Sequence, residues 1–372
     1  MALSPFSGGV VFLPFLSPLL RGDVERSETE GSPLTEGVFG HSRVNAIIDQ
    51  DNITKKGNIM LKRVTVVVAS YNGAKFIAEQ LDSIREQIMK PDEVIIADDC
   101  SDDGTVEICE DYIAAHNLEG WTVYRNSENL GVSKNFREAL KRATGDYILT
   151  CDQDDIWLPD KISAMTTAMN ERDEILLLAS NYIPVRNGER IKHSYIKNLL
   201  RDDGEIVQLK LKDYWLPNLR PGCTFCFRRE LLSCFNVMDI PERLHDSMLW
   251  KYAIVSDGLY LLNRQLILYR RHEGNATNQF SRTPPNISQR LKGLDSDMEM
   301  YRKFLENSEG LNIPLSNQRK LQKMLKFLAN HKKILEKRSP IKTTLFVMLH
   351  LRYYTTLRNA MSDIYAAIKL RE

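Results

Sequence analysis

A run of apolar residues at 64–69, Val-Thr-Val-Val-Val-Ala, constrains the fold of this chain more than any other sequence feature. A strand of this composition has no polar face, which is typical of strands buried on both faces inside a parallel sheet. From this run onward strand-like and helix-like segments alternate, with strands at 64–69, 93–97, 121–125 and 147–151 and helices at about 75–88, 104–115 and 132–143. The alternation predicts an α/β fold with a Rossmann-like, mainly parallel central sheet flanked by helices.

The composition changes on both sides of this α/β region. Residues 1–60 are rich in Ser, Gly, Pro and Glu and show little periodicity, so we predict that they are disordered. We also hypothesise that Met60 is the true start, the preceding segment being an upstream misreading or a dispensable tail. Residues 61–280 are predicted to form the α/β domain. Residues 281–372 are predicted to form a helical, basic region, because they contain 18 Lys or Arg and 8 Asp or Glu while the whole chain has a net charge of +1.

The cysteine and hydropathy patterns exclude several protein classes. Of six cysteines, only Cys223 and Cys226 form a CxxC pair, and no second pair or nearby histidine completes a structural zinc site. We interpret the pair as two small buried thiols in a strand at about 223–227, in a protein of the reducing cytosol. No apolar run reaches the roughly 18 residues that a spanning helix needs, so a cytoplasmic, soluble or peripheral protein is expected.

Polar clusters follow the first two predicted strands. The first is Ser-Tyr-Asn-Gly at 70–73, and the second is Asp-Asp-Cys-Ser-Asp-Asp-Gly-Thr at 98–105. In an open α/β sheet, ligands bind beyond the carboxyl ends of the strands, where both clusters should lie. Carboxylates at the end of a buried strand could accept hydrogen bonds from a base or a ribose. Capping of the following helix by Ser101 or Asp102 is a second role that we expect.

A third cluster follows the fourth strand and is the most acidic. Asp152, Asp154 and Asp155 lie within four residues, where they repel one another unless a cation lies among them. The spacing therefore indicates a metal ion or a basic partner, and a hard cation such as Mg²⁺ or Mn²⁺ would suit carboxylate ligands. An acidic turn without a bound ion is the alternative.

The clusters together, in this order and with Asn-Leu-Gly at 129–131 and Asn135, resemble the N-terminal half of family 2 glycosyltransferases with a GT-A fold, over about residues 62–165. The resemblance implies that residues 61–160 bind a nucleotide-sugar donor and that residues 161–280 form the acceptor half. It also implies two sets of site residues. The donor would be bound by Ser70, Tyr71, Asp98, Asp99, Asn135, Asp152 and Arg271, and Mg²⁺ or Mn²⁺ by Asp152, Asp154 and His272.

Two later segments extend the resemblance. His245-Asp246 is similar to the family's His-Asp pair that opens a helix, so Asp246 is expected to be the catalytic base. Ser247 and Met248 stand where family members often have two aromatic residues. Taken alone, a His-Asp pair is more often structural. Tyr-Arg-Arg-His at 269–272 is similar to the family's Tyr-Arg-x-His segment, in which His272 could bind the metal or the diphosphate and an arginine could neutralise phosphate charge.

The full motif set is most similar to the rhamnosyltransferase-like branch of the family. It implies an inverting transfer from dTDP-rhamnose or a UDP-hexose to a saccharide or lipid-linked saccharide in cell-surface polysaccharide synthesis, with no nucleic-acid partner. The amphipathic stretch at 341–370 could rest on the inner face of an anionic membrane or form a solvated helical cap.

Two other classes are alternatives to this reading. A non-catalytic nucleotide-sugar-binding protein could share the fold, but such a protein would not need a base. A nucleotidyltransferase normally has a glycine-rich, basic loop after the first strand, and residues 70–75 lack that character.

Overall fold

A computed structural model provides the coordinates, and it describes residues 62–191, 201–212, 218–237, 240, 243–272, 286–337, 339–354 and 357–369. The predictions of disorder in residues 1–60 and of a start at Met60 lie outside these residues.

One mixed sheet of ten strands organises the described residues. The strands are β1 Val64–Ser70, β2 Glu93–Asp98, β3 Trp121–Arg125, β4 Tyr147–Asp152, β5 Ile156–Trp157, β6 Leu177–Arg186, β7 Glu189–Arg190, β8 Ile206–Gln208, β9 Phe225–Arg228 and β10 Leu259–Arg270. Their order in the sheet is β3-β2-β1-β4-β9-β6-β10-β5, with β7 added to β6 and β8 to β10.

Ten α-helices accompany the sheet in this part of the chain. They are α1 Ile77–Arg85, α2 Thr105–Ala115, α3 Val132–Leu140, α4 Lys161–Glu171, α5 Ser233–Val237, α6 His245–Val255, α7 Ile287–Glu306, α8 Leu315–Glu336, α9 Pro340–Leu349 and α10 Leu357–Lys369. The helical character predicted for the C-terminal region is therefore confirmed. None of the described helices combines the length and the apolar composition that crossing a bilayer requires.

The first four strands confirm the parallel sheet that the sequence predicts. β1 pairs in parallel with both β2 and β4, and β2 pairs in parallel with β3. Alternate residues of β1 pack on opposite faces of the sheet, as the pleat of a strand requires. Val66 joins a core that includes Ile77 of α1, whereas Val67 joins a core that includes Phe136 of α3. Both faces are thus covered by helices, which explains why β1 is apolar along its length.

The second half of the sheet departs from this regular pattern. β9 lies antiparallel between β4 and β6, and it begins at Phe225 rather than at Cys223. Cys223 instead lies in a 3-10 turn, so the prediction of one strand holding both thiols was wrong. β10 runs well beyond the predicted 259–262, because it continues with register shifts through the polar residues 263–265.

Candidate active site

The loops that follow β1 and β2 are joined directly to each other. Asn72 and Cys100 have positive φ angles of 49° and 66°, which turn the chain sharply at each strand end. The backbone N–H of Asn72 donates to Ser101 Oγ at 2.8 Å, and the N–H of Asp102 donates back to Asn72 Oδ1 at 3.0 Å. The first two polar clusters therefore lie together, as predicted from the strand ends.

Asp98 is buried at the centre of this junction. Its carboxylate accepts hydrogen bonds from the Ser70 hydroxyl at 3.1 Å, from the backbone N–H of Ser101 at 2.9 Å and from the Ser101 hydroxyl. The expectation that Ser101 or Asp102 caps α2 was wrong. Gly104, with φ of 87°, precedes the first residue of α2 and has no side chain to cap it, whereas Ser101 lies three residues earlier and its hydroxyl donates to Asp98.

Asp99 holds a different loop in place. One carboxylate oxygen accepts from the Asn126 amide at 2.9 Å and from the N–H of Leu130 at 2.8 Å, and the other accepts from the N–H of Gly131 at 2.8 Å. Asn126 also donates to Asn135 Oδ1 at 2.9 Å, and Asn135 donates to the Ala97 carbonyl at 2.8 Å. The Asn-Leu-Gly motif is therefore fastened to the end of β2.

Replacing Asp99 with Ala is expected to lower the free energy of unfolding by about 2–3 kcal/mol, because three partly buried donors lose their acceptor and a hydrogen bond to a charged group contributes about 1.5–3 kcal/mol. Asp99 is 2% exposed, so water does not readily replace the carboxylate. Urea denaturation measures the change. Asp102→Ala, at an exposed carboxylate three residues along, serves as the control and should stay within about 0.5 kcal/mol of the parent chain. Equal effects of the two substitutions would contradict the proposed fastening.

Gln153 joins the first cluster to the third, and the sequence did not indicate it. Its side-chain amide accepts from the N–H of Tyr71 at 2.8 Å and donates to the Tyr71 carbonyl at 2.9 Å. A Cβ atom at Gly73 would overlap the Gln153 side chain, so the glycine makes this approach possible. The exposed ring of Tyr71 is thereby positioned at the same edge as the acidic turn.

The acidic turn contacts the end of β10. Asp154 Oδ2 lies 2.7 Å from His272 Nε2, and the His272 ring stacks on Phe76 at 4.7 Å. Asp155 Oδ1 accepts from the backbone N–H of Arg270 at 3.0 Å. The other Asp155 oxygen is buried and makes no standard hydrogen bond within the described residues. Two of the three predicted metal ligands, Asp154 and His272, are thus adjacent, and metal binding by them stays a prediction.

A second group of possible ligands shares this acidic turn. One side-chain ligand atom from each of Asp152, Asp155 and Cys223 lies within 4.8 Å of the others. Burial and the charge of Asp154 raise the pKa of Asp155 well above its ordinary value. The same two causes, with a further contribution from Asp246, raise the pKa of Asp152 to about 7. The concentration of carboxylates is therefore electrostatically costly in the absence of a cation.

Lys161 is a buried cation whose charge partly offsets the negative charge of the acidic turn. It is fully buried at the start of α4, where its Nζ donates to the Cys223 carbonyl at 2.9 Å and lies 4.3 Å from the Trp157 ring centroid. Burial lowers the pKa of Lys161 to about 8, which leaves it mostly charged at neutral pH. The charge of Lys161 acts to lower the pKa of Asp152, but the net shift remains upward, so one lysine does not balance three carboxylates.

Asp246 is linked to the end of β4, where the acidic turn begins, by contacts through Gly222. It occupies the first turn of α6, which begins at His245 as predicted. A Cβ atom at Gly222 would lie 3.0 Å from Asp246 Cβ, so the two residues are in close contact. The Gly222 carbonyl accepts from Thr150 Oγ1 of β4 at 2.6 Å. This chain of contacts places Asp246 close enough to Asp152 to raise the pKa of Asp152.

Comparison with known proteins identifies the fold family. The family model described as "Glycosyl transferase family 2" matches residues 65–235. The dTDP-rhamnosyl transferase RfbG of Shigella flexneri is 31% identical over 219 residues, which are 56% of this chain and 72% of that protein. The chain belongs to glycosyltransferase family 2.

A second relative is similar to this chain over a shorter alignment, and a solved structure is similar to it in fold. The glycosyltransferase EpsE of Bacillus subtilis, itself assigned only putatively, is 36% identical over 100 residues, covering 27% of this chain and 36% of its own length. The crystal structure of Staphylococcus aureus TarS 1–349 with UDP-GlcNAc has a TM-score of 0.50 at 20% identity, covering 82% of this chain and 89% of that one. The structural match confirms the expected GT-A-like fold.

Within this family 2 fold, the predicted donor-binding residues differ greatly in accessibility. Tyr71 is 49% exposed and Arg271 is partly exposed, with its guanidinium over the Tyr269 ring at 5.3 Å. The others are buried or partly buried: Ser70, Asp98, Asp99, Asn135 and Asp152. Contact of each with a donor stays a prediction, and the structure adds a role in positioning the loops for Asp98, Asp99 and Asn135.

The acidic turn has the donor chemistry that a divalent cation requires. Carboxylate oxygens of Asp152 and Asp154 suit Mg²⁺ or Mn²⁺, which prefer hard oxygen ligands and complete their shells with phosphate and water, whereas the imidazole of His272 is a softer ligand, more typical of transition metals. The buried oxygen of Asp155 that lacks a standard hydrogen bond, together with the raised pKa of Asp152, indicates that a cation would relieve the local repulsion. The carboxylates present therefore suit the hard cation that the sequence resemblance implies, while binding by Asp152, Asp154 and His272 together stays a prediction, because the possible ligand atoms found within 4.8 Å of one another among the described residues belong to Asp152, Asp155 and Cys223.

His245, beside the candidate base, is expected to make this family 2 fold sensitive to acid. Its ring is buried and stacks on Phe136 at 4.0 Å, and burial lowers its pKa to about 4. The unfolded chain binds the proton at about pH 6.5, so stability is intact above that pH and falls as the pH drops towards 4. The full loss is about 3 kcal/mol.

Urea denaturation across this pH window measures the effect. His245→Gln should make the dependence of unfolding free energy on pH less steep, and the remaining slope is expected from His331, whose pKa burial lowers to about 3. His116→Gln is the matched control, because His116 is exposed and is expected to leave the slope unchanged. A slope in His245→Gln equal to that of the parent chain would show that another group causes the acid sensitivity.

Proposed function

We propose that this glycosyltransferase moves a sugar from dTDP-rhamnose or a UDP-hexose to a saccharide or lipid-linked saccharide acceptor, with inversion, in cell-surface polysaccharide synthesis. Its similarity to a dTDP-rhamnosyl transferase makes dTDP-rhamnose the leading donor. The observation that carries the proposal is the proximity of Asp246 to the acidic turn, where a proton acceptor and a diphosphate site would be adjacent.

In the proposed reaction, the Asp246 carboxylate accepts the proton of the acceptor hydroxyl as that oxygen attacks the anomeric carbon. The new glycosidic bond forms on the face opposite the bond to the diphosphate, which breaks and takes its electron pair with the nucleoside diphosphate. Inversion of the anomeric centre follows from this single displacement. A non-catalytic binding protein would have no use for a carboxylate in this position.

The acidic turn has a separate duty in this proposal. Asp152, Asp154 and His272 would hold Mg²⁺ or Mn²⁺, which supplies positive charge to the departing diphosphate. Arg271, partly exposed beyond the end of β10, is placed to neutralise further phosphate charge. Tyr71, whose backbone is hydrogen-bonded to Gln153, offers an exposed ring on which a nucleotide base could stack.

A ligand panel tests the donor assignment without requiring a known acceptor. We expect dTDP-rhamnose and dTDP to raise the melting temperature of the full chain only when Mg²⁺ or Mn²⁺ is present, with smaller effects of UDP-hexoses. GDP-mannose serves as the comparison nucleotide-sugar. Stabilisation by UDP-hexoses alone would change the donor, and the absence of metal-dependent stabilisation by any nucleotide-sugar would refute the proposed site.

A further inference from the structure

The last two helices expose an apolar stripe on one side each. Spacings of three and four residues place these side chains on a single face of each helix. They are between 46% and 82% exposed, and large exposed apolar patches often mark sites of interaction with proteins or membranes. The residues are Ile341, Leu345, Met348 and Leu349 of α9, Leu351 of the connecting turn, and Leu357, Met361, Tyr365 and Ile368 of α10.

The opposite faces of both helices are buried against the rest of the protein, so the apolar stripes face solvent. Phe346 and Val347 of α9 and Ala360 of α10 are at most 8% exposed. Asp363 of α10 is 1% exposed and pairs with Arg290 of α7, and its other oxygen lies 2.7 Å from His331 Nε2. Turning the apolar stripe of α10 inward would expose Asp363 and break this buried ion pair.

The charge of the same segment is strongly one-sided. Residues 337–369 contain six Lys or Arg and one acidic residue, Asp363, which is the buried partner of Arg290. Lys337 and Lys342 are exposed next to the α9 stripe. The segment therefore presents apolar side chains bordered by positive charge, without a competing acidic side chain exposed among its described residues.

We propose that α9 and α10 bind the surface of an anionic lipid bilayer. Amphipathic helices with basic flanks lie in the headgroup region, where apolar side chains enter the lipid and Lys and Arg contact anionic headgroups. Pairing of the same face with a second copy of this chain is less favourable, because six positive charges on each copy would oppose one another. The surface does not depend on the transferase reaction, and a bilayer would bring the chain to any lipid-linked substrate.

Vesicle flotation of the full chain tests this proposal. The chain is expected to float with vesicles that contain phosphatidylglycerol, and to remain at the bottom of the gradient with phosphatidylcholine alone. Raised salt should weaken the binding, because it screens the lysine and arginine contacts. Leu349→Glu combined with Met361→Glu should reduce the bound fraction at least about tenfold, since a charged side chain at each stripe opposes entry into lipid.

Leu315→Glu is the matched control, because Leu315 at the start of α8 is 71% exposed and Leu349 is 70% exposed. This variant should float as the parent chain does. That result would show that a glutamate at an exposed leucine outside the two stripes does not reduce vesicle binding. Equal flotation with both lipids, no flotation at all, or equal loss in the control and the double variant would overturn the proposal. Light scattering adds one more decisive outcome: a dimer that the double variant converts to a monomer would assign the face to a second copy.

Discussion

Replacing Asp246 with Asn is expected to lower turnover by about 10²- to 10⁴-fold, the usual contribution of a general base. The amide has nearly the same shape and can keep its place against Gly222, where Asp246 is in close contact. It cannot accept a proton from an acceptor hydroxyl at neutral pH. Donor affinity should therefore change little, since the loss affects the attacking group and leaves the diphosphate ligands intact.

Two measurements separate these effects: kcat from product formation, and the dissociation constant of the donor from calorimetry with metal present. Asp257→Asn is the matched control at the opposite end of α6. Its φ of 56° suits Asn, and an Asn oxygen can still accept from the Asn317 amide, which lies 2.8 Å away. A variant at Asp246 that loses donor binding would give this residue a donor-binding or structural role instead.

Local sequence pattern predicted the first half of the fold well because each strand there is a short apolar run closed by a polar motif. The predicted ends of β1 and β2 differ from the structure by one residue, since Ser70 and Asp98 still pair within the sheet. Parallel strands that share an edge also bring their polar ends together, so the meeting of the first two clusters could be anticipated.

The contacts that complete the site are longer in range and leave no local signal. Lys161 meets the carbonyl of Cys223, 62 residues later, only because β9 inserts antiparallel between β4 and β6. Gln153 meets Tyr71 across 82 residues because the strands that precede them, β4 and β1, are parallel neighbours in the sheet. These contacts depend on the order of the strands in the sheet. The periodicity of apolar residues in the sequence predicts where strands occur, but it does not predict their order.

Polar residues misled the sequence reading in two places for the same reason. The polar residues 263–265 interrupt the apolar pattern of β10, yet the strand continues there through irregular pairing with β6. Ser101 is of a residue type that often caps helices, yet its hydroxyl donates a hydrogen bond to the buried carboxylate of Asp98. In each case a tertiary partner satisfies a group that local rules assign to a turn or a cap.

Replacing Asp154 with Asn is expected to weaken Mn²⁺ binding and to lower turnover by about 10²- to 10³-fold, the range for losing one group that stabilises the departing charge. The carboxylate pairs with His272 at 2.7 Å and contributes to the raised pKa values of Asp152 and Asp155. The neutral amide removes one negative charge from the acidic turn, so the turn attracts a divalent cation less strongly. Electron paramagnetic resonance of free Mn²⁺ measures the affinity with and without nucleotide.

Asp203→Asn is the control, because this exposed carboxylate pairs with Arg201 at 2.6 Å and has no place in the acidic turn. It should bind Mn²⁺ as the parent chain does. Chelation of the metal should also abolish activity in the parent chain while leaving little further to lose in Asp154→Asn. Unchanged Mn²⁺ affinity in Asp154→Asn, together with reduced turnover, would mean that the pair with His272 positions the end of β10 and that the metal ligands lie among Asp152, Asp155 and Cys223 instead.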